Sequence, residues 1–370
     1  MEIKRQFRAF DLFAFMFCTT VTLGVLFLPY VSGEEIRSSW LKLLVVSIPF
    51  FLMLWLISLF TKRYPDYDFF KALKDHLWGW LYFVVIFYFI IGTILSAARV
   101  TNGLSEIVQV HLLKVTPEWM VLLPFFIIAG VGVYYGIIAI TRFAVYFVVL
   151  EILVLLSVIV MAFFQDYFKW IFVAPVFSTD VVTFLKSSVS DMARYAAIVP
   201  TLAFLVYMRK GEAILAPMNL SLIMIVIIYS GLSLGVLGTF GFDHAMQLLS
   251  PITALTQSIE TRTGLLERLD LLFIGFWIVS FYKLFIVHTW FMVYITKKAW
   301  PVVNQNLFIV IYLAVIYMLS LMTPEFIIDQ WAFHNINLIL YGFVMPTLLL
   351  IFLTLKKKRG TPKDDTNISS

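Results

Sequence analysis

Charge is scarce in this chain. Only 13% of its 370 residues are Asp, Glu, Lys or Arg, against about 25% in an average soluble domain. A single cysteine, Cys18, excludes an intrachain disulfide and a cysteine zinc site. There is no nucleotide loop, no HExxH and no hydrolase triad, and the five histidines are scattered, so the chain is not expected to be an enzyme, and neither metal nor cofactor is expected. Segments of alternating polarity, the mark of a membrane β-barrel, are absent. No Gly/Ser/Pro-rich linker divides the chain, and a cleavable signal is not expected, because the first apolar run exceeds a signal core and lacks a small-residue cleavage motif.

What is present is apolar. Hydrophobic residues make up 62% of the chain and aromatic residues 17%, in runs of the length a helix needs to cross the hydrocarbon core, about 20 residues. The expected fold is all-α and membrane-integral, with about ten spans near residues 10–31, 41–60, 79–109, 119–138, 141–164, 186–207, 217–241, 270–296, 304–323 and 336–355. The third run is too long for an upright helix and implies tilt or an extramembrane turn. One domain over residues 1–355 is expected, followed by a basic, then polar tail over 356–370. With both termini on one side, that side carries 17 lysines and arginines and the other 7, while Arg99, Arg194 and Lys283 lie within spans. The positive-inside rule then places both termini in the cytoplasm. The net charge of +5 needs no nucleic acid to account for it.

The stretch TLGVLFLP, residues 22–29, sets Gly24 and Pro29 inside the first run. Proline removes a helical hydrogen bond and clashes with the preceding turn, and in hydrocarbon the freed groups survive only against protein or a polar cavity. A simple kink is one reading, since both residues are common in membrane helices. Ten spans, however, divide into two halves of five, about 10–164 and 186–355, and the first span of the second half carries Pro200. Breaks at matching positions point to an inverted-repeat transporter fold with a polar site at mid-membrane.

The stretch GVLFLP resembles the first-helix motif of the amino acid–polyamine–organocation transporters. The whole chain, over residues 5–355, more closely resembles the spore germination permeases, the membrane B subunits of nutrient germinant receptors. The residues that carry this are Gly24, Leu28 and Pro29; Arg99 and Glu106; Thr116 and Pro117; Arg142; Pro175 and Val176; and, within SPITALTQSIETRTGLLERLDLLFIGFWIVSF, Pro251, Gly264, Glu267, Arg268 and Trp277. The resemblance implies a LeuT-like 5+5 fold with discontinuous first and sixth helices. It also implies a small nutrient ligand, a receptor completed by an A subunit and a lipoprotein C subunit, and residence in the inner membrane of a bacterial endospore. Thr22 stands where amino-acid transporters often have glycine, and Ala197-Ile198-Val199 contains none. The backbone-carboxylate binding mode is thereby weakened, and a sugar or an apolar amino acid stays open.

The resemblance places the pocket at Thr22, Leu23, Gly24 and Val25 of span one and Tyr195, Ala196 and Ala197 of span six, with Thr93 and Ser96 closing it from span three. Close packing by small residues is the alternative for that last pair. Charge at mid-bilayer costs about 2.5–3.5 kcal/mol on insertion scales, so each ionisable residue there invites a functional hypothesis. The resemblance implies that Lys283 of span eight lies beside the unwound part of span one, either replacing a bound sodium or exchanging a proton; the alternative is a structural pair with Glu151 of span five. Arg99 joins these two in an expected intramembrane charge network, and Asp191 and Arg194 form an expected local pair. His288 reads as packing, and Tyr195 as a candidate aromatic gate. The function expected is nutrient binding at this pocket, signalled to partner subunits; proton-coupled transport of an amino acid or related solute is the alternative.

Overall fold

The computed structural model describes residues 5–25, 28, 38–65, 67–174, 180–248, 250–259, 269–302, 304–322 and 335–356. The helices, in chain order, are α1 (Ala9–Val25), α2 (Ser39–Arg63), α3 (Phe69–His76), α4 (Gly79–His111), α5 (Glu118–Tyr134), α6 (Gly136–Phe163) and α7 (Val181–Ser188). They continue as α8 (Thr201–Phe204), α9 (Leu215–Ala245), α10 (Pro251–Ser258), α11 (Leu269–Ala299), α12 (Gln305–Met322), α13 (Asn335–Ile339) and α14 (Met345–Leu355). A 3₁₀ segment, Val189–Ile198, links α7 to the Pro200 turn and α8, and a π turn, Leu340–Val344, joins α13 to α14. No strand lies among the described residues; their one β-contact is an isolated bridge between Phe7 and Met208.

Eight of the described helical segments are long and apolar enough to cross a membrane, with Val181–Tyr207 and Asn335–Leu355 each taken as one. Two shorter apolar helices, α1 and α5, occupy the places of expected spans one and four. α4 runs unbroken for 33 residues, about 50 Å at 1.5 Å per residue, longer than the roughly 30 Å hydrocarbon core. Pro29, Pro175, Val176, Gly264, Glu267, Arg268 and the tail beyond Lys356 lie outside the described residues.

Helix α6 shows how composition becomes packing. Ala144, Val148, Glu151, Leu155, Val158 and Ala162 are buried, spaced four, three, four, three, four, so they form one stripe. Val149, Leu153 and Val160 face outward, as apolar residues can where the solvent is lipid. The buried stripe packs on α1, α9 and α11. α1 is the opposite case: every residue from Leu12 to Val25 is buried, so it is a central helix enclosed by α9, α6, α11 and the 3₁₀ segment. A helix surrounded by protein can present polar groups at mid-membrane that a lipid-facing helix cannot.

Two short helices connect the spans. α3 buries Phe69, Phe70, Ala72 and Leu73 and turns Lys71 and Lys74 outward; the Asp68 side chain caps it by accepting from the Phe70 N–H at 3.2 Å. At the face that carries the termini, the N-terminal segment lies against the end of α8: Gln6 N–H donates to the Tyr207 carbonyl at 3.0 Å, and Arg209 N–H to that of Phe7 at 2.9 Å.

Candidate functional site around the break in helix α1

In an uninterrupted helix the Gly24 N–H bonds to the Thr20 carbonyl, four residues earlier. Here the Tyr229 hydroxyl, from α9, stands between them. It accepts from Gly24 N–H at 3.1 Å and donates to the Thr20 carbonyl at 2.7 Å. α1 stays helical through Val25 while Leu28 is no longer helical, so the break falls after Val25 and Tyr229 ties the last turn before it to α9. That ring also explains the glycine: a Cβ at position 24 would lie 2.1 Å from Tyr229 Cζ. The Gly24 carbonyl in turn accepts from Arg194 Nη1 at 3.4 Å.

Arg194 is placed by the 3₁₀ segment. With three residues per turn, side chains three apart eclipse, so Asp191 stacks beneath Arg194, and its Oδ1 lies 3.3 Å from the guanidinium Nε. Tyr195 falls on another row. It stacks near Phe50 and Tyr229, with ring centroids 5.2 and 5.4 Å away, and its hydroxyl donates to the Leu43 carbonyl at 3.0 Å. Ala196 lies on the third row, in contact with Gly342 of the π turn, where a Cβ would come 2.4 Å from Ala196 Cα.

One helical turn before the break, α1, α6 and α11 meet in a buried polar knot. Lys283 Nζ donates to Glu151 Oε2, and the Ser280 hydroxyl to Glu151 Oε1. Cys18 lies against both charges, its sulfur 3.3 Å from Glu151 Oε2 and 3.5 Å from Lys283 Nζ. The two charged side chains are 2% and 6% exposed, and the pair together carries no net charge. Low dielectric strengthens their mutual attraction while penalising either charge alone.

A cavity opens between this knot and the break. It is lined by Val21, Thr22 and Val25 of α1, Glu151, Val154 and Leu155 of α6, and Phe273, Phe276, Trp277 and Ser280 of α11. The space open to the centre of a water molecule is about 20 Å³, room for a water or two. The wall is mostly apolar, with the Glu151 carboxylate and the Thr22 and Ser280 hydroxyls as its polar points.

Of the residues expected to bind ligand, Thr22 and Val25 line this cavity, and Lys283 reaches it through Glu151. Leu23 and Gly24 are buried in α1, and Ala197 within the 3₁₀ segment. Thr93 and Ser96 lie elsewhere: the Thr93 hydroxyl is 2.8 Å from that of Tyr341, and the Ser96 hydroxyl 3.5 Å from His288 Nε2. Arg99, named with Glu151 and Lys283 in one network, donates from Nη1 to Asn335 Oδ1 at 3.1 Å, whereas Glu151 and Lys283 bond to each other. Sequence reasoning did not find Tyr229, Ser280 or the role of Cys18. Ser280 was within reach, since it lies three residues before Lys283 on one helical face. Tyr229 was not, because nothing local says which helix a mid-span tyrosine meets.

Comparison with known proteins places this arrangement. Residues 6–329 match the family model described as "Spore germination protein". The chain belongs to the spore germination protein family. Among its relatives in this family, spore germination protein A2 of Bacillus subtilis (strain 168) is 22% identical over 347 residues, covering 93% of this chain and 94% of that one. Spore germination protein B2 of the same organism is 24% identical over 257 residues, 68% of each. Among solved structures, a variant of the Eremococcus coleocola manganese transporter superposes with a TM-score of 0.59 at 14% identity, over 94% of this chain and 83% of that one. The fold is therefore that of a LeuT-like transporter, and this family member is an integral membrane protein with a transporter scaffold. Metal is a property of that neighbour's name; among the described residues of this chain no three His, Cys, Asp or Glu side chains gather as ligands.

Proposed function

We propose that this spore germination protein is the membrane subunit of a nutrient germinant receptor, in the spore inner membrane with both termini cytoplasmic. It binds a small nutrient, an amino acid or a sugar, at the cavity beside the α1 break, which must widen from the one or two waters' room of the described state to admit it, and passes the event to an A subunit and a lipoprotein C subunit. The protein binds and signals, with no chemical step of its own. One observation carries this reading: the end of α1, the buried Lys283–Glu151 pair and the cavity are contiguous, so a ligand entering the cavity touches both the last turn of α1 and the pair that Cys18 fastens it to. The apolar wall suits an aliphatic side chain or the apolar face of a sugar ring, and the few polar points suit orientation of a small solute.

Proton-coupled transport is the second reading, favoured by the fixed ammonium of Lys283 at the junction of α1 and α11, where a cation bound by protein would otherwise be needed. Spores whose only receptor carries the paired change Lys283→Met, Glu151→Leu, which leaves no uncompensated buried charge, separate the readings from a packing role. Loss or change of nutrient response, with the protein at its normal level in the membrane, supports a site at the cavity. Uptake of labelled nutrient by vesicles holding the native chain, driven by a proton gradient, supports transport. An unchanged response in the spores reduces Lys283 to packing.

A further inference from the structure

Trp277 is a described residue lining the proposed site that keeps unfinished chemistry. Its side chain is 7% exposed and its indole Nε1 is buried with no acceptor. A buried donor without an acceptor costs about 1–3 kcal/mol, so each one in a native fold calls for a cause. The residue is held rigidly, with Phe273 and Phe281 packed on it at ring-centroid distances of 5.0 and 5.9 Å.

Its position supplies the cause. Trp277 lines the cavity beside the α1 break and also a second cavity, bounded by Val25, Leu28, Ile107, Phe273 and the Ser250–Thr253 start of α10. Val25, Phe273 and Trp277 are common to both walls. The first cavity is largely apolar, whereas Ser250 and Thr253, hydroxyl to hydroxyl at 2.7 Å, make the second more polar. The second lies near the end of α4 that is remote from the face carrying the termini. The two cavities are neighbours across a partition of Val25, Phe273 and Trp277, and that partition holds an unfilled hydrogen-bond donor.

We infer that Trp277 is a ligand-binding residue whose indole N–H donates to an acceptor oxygen of the nutrient, at the partition through which the nutrient arrives from the α10 side. This rests on the cavity being the nutrient site, and it narrows the ligand. The solute must carry a carbonyl, carboxylate or hydroxyl oxygen beside a compact apolar part that fits among Val21, Val25 and Leu155. It must also be without net charge, because the Glu151–Lys283 pair already balances itself. A wholly hydrocarbon ligand, or a cation with no acceptor, leaves the indole unsatisfied.

The test uses spores whose only receptor contains the native chain, Trp277→Phe, Trp277→Ala or Ser280→Ala, challenged with the nutrient that triggers the native spores. Trp277→Phe keeps an aromatic ring against Phe273 and removes only the N–H, so folding and membrane level should hold. A lost hydrogen bond of about 1–1.5 kcal/mol raises the half-maximal nutrient concentration roughly five- to tenfold, with the maximal response kept. Trp277→Ala, which also opens the partition, should lose nutrient selectivity as well. An unchanged half-maximal concentration in Trp277→Phe spores overturns the role of Trp277. If Ser280→Ala spores are still impaired in that case, the cavity stands as the nutrient site and only this inference fails. If both variants respond as native, the cavity reading fails with it. Membrane level is measured for each by immunoblot, and a variant that does not accumulate is replaced by Trp277→Tyr.

Discussion

Tyr229 and Gly24 act as one unit, because the hydroxyl that bonds the last turn of α1 needs the room that only a hydrogen side chain leaves. Gly24→Ala puts a Cβ into a fully buried ring, and overpacking of this kind costs about 1–3 kcal/mol. The cost should largely vanish in a Gly24→Ala, Tyr229→Ala background, a non-additivity that melting of the detergent-solubilised variants measures directly. Tyr229→Phe should behave differently. With the hydroxyl gone, Gly24 N–H and the Thr20 carbonyl can bond to each other, so stability falls by only about 0.5–1.5 kcal/mol. The tie from α9 to the last turn of α1 is lost, however, and the nutrient response should drop sharply at normal membrane level; a native-like response would show that the tie is incidental. The Lys283–Glu151 pair separates stability from function in the same way. Lys283→Met alone leaves a buried carboxylate uncompensated, at about 3–5 kcal/mol, and should deplete the protein. The double change Lys283→Met, Glu151→Leu removes both charges and should restore its level but not its response. Recovery of both would make the pair a packing device.

At the scale of elements, the 3₁₀ segment and the π turn are partners. Ten residues in 3₁₀ geometry span about 20 Å, where an α-helix would span about 15 Å. The segment is thus stretched and set in three straight rows. The row of Ala193 and Ala196 is smooth enough for Gly342 to sit on its backbone. Gly342→Ala directs a Cβ at Ala196 Cα, 2.4 Å away, and no side-chain rotation relieves a clash with backbone. A loss of more than about 1–3 kcal/mol is expected from this position, against little change for the exposed Gly79, where an added Cβ meets nothing; paired melting curves decide it. These elements also show what could be read in advance. Long apolar runs mark the spans because lipid imposes a length, and that part of the fold was legible. The helix-breaking signal was only half so. Pro200 does mark a departure from α geometry, but Pro49 and Pro124 lie inside α2 and α5, which continue through them. Proline removes one bond, and whether the helix stops depends on neighbours the local sequence does not name. The same holds for the site: an ionisable residue such as Lys283 announces itself in an apolar run, whereas the phenol that ties the last turn of α1 and the glycine that seats on Ala196 acquire meaning only from helices far along the chain.

For the molecule as a whole, the two faces of the membrane are treated differently. On the side of the termini, Phe7 stacks on Phe204 at 5.0 Å, and Phe204 on Phe15 at 4.2 Å, while backbone bonds from Gln6, Phe7 and Arg209 staple the segment before α1 to residues 207–209 beyond α8. On the far side lies the second cavity, one partition away from the cavity that Glu151 lines. The described residues are thus packed shut on the side of the termini, and an opening on that side must break the Phe7 staple. Cys18 offers a reporter without background, being the chain's single cysteine and only 1% exposed. In the native chain it should resist a membrane-impermeant maleimide applied from either side. Phe7→Ala removes a buried ring, a change worth about 3–5 kcal/mol. Only a third of that cost need fall on the closed state to raise the opening equilibrium about tenfold, since 1.4 kcal/mol is a factor of ten. Labelling of Cys18 from the side of the termini should therefore rise about tenfold or more in Phe7→Ala, with little change from the opposite side. Equal labelling from both sides would mean general loosening, and no labelling would mean that the staple does not gate that side.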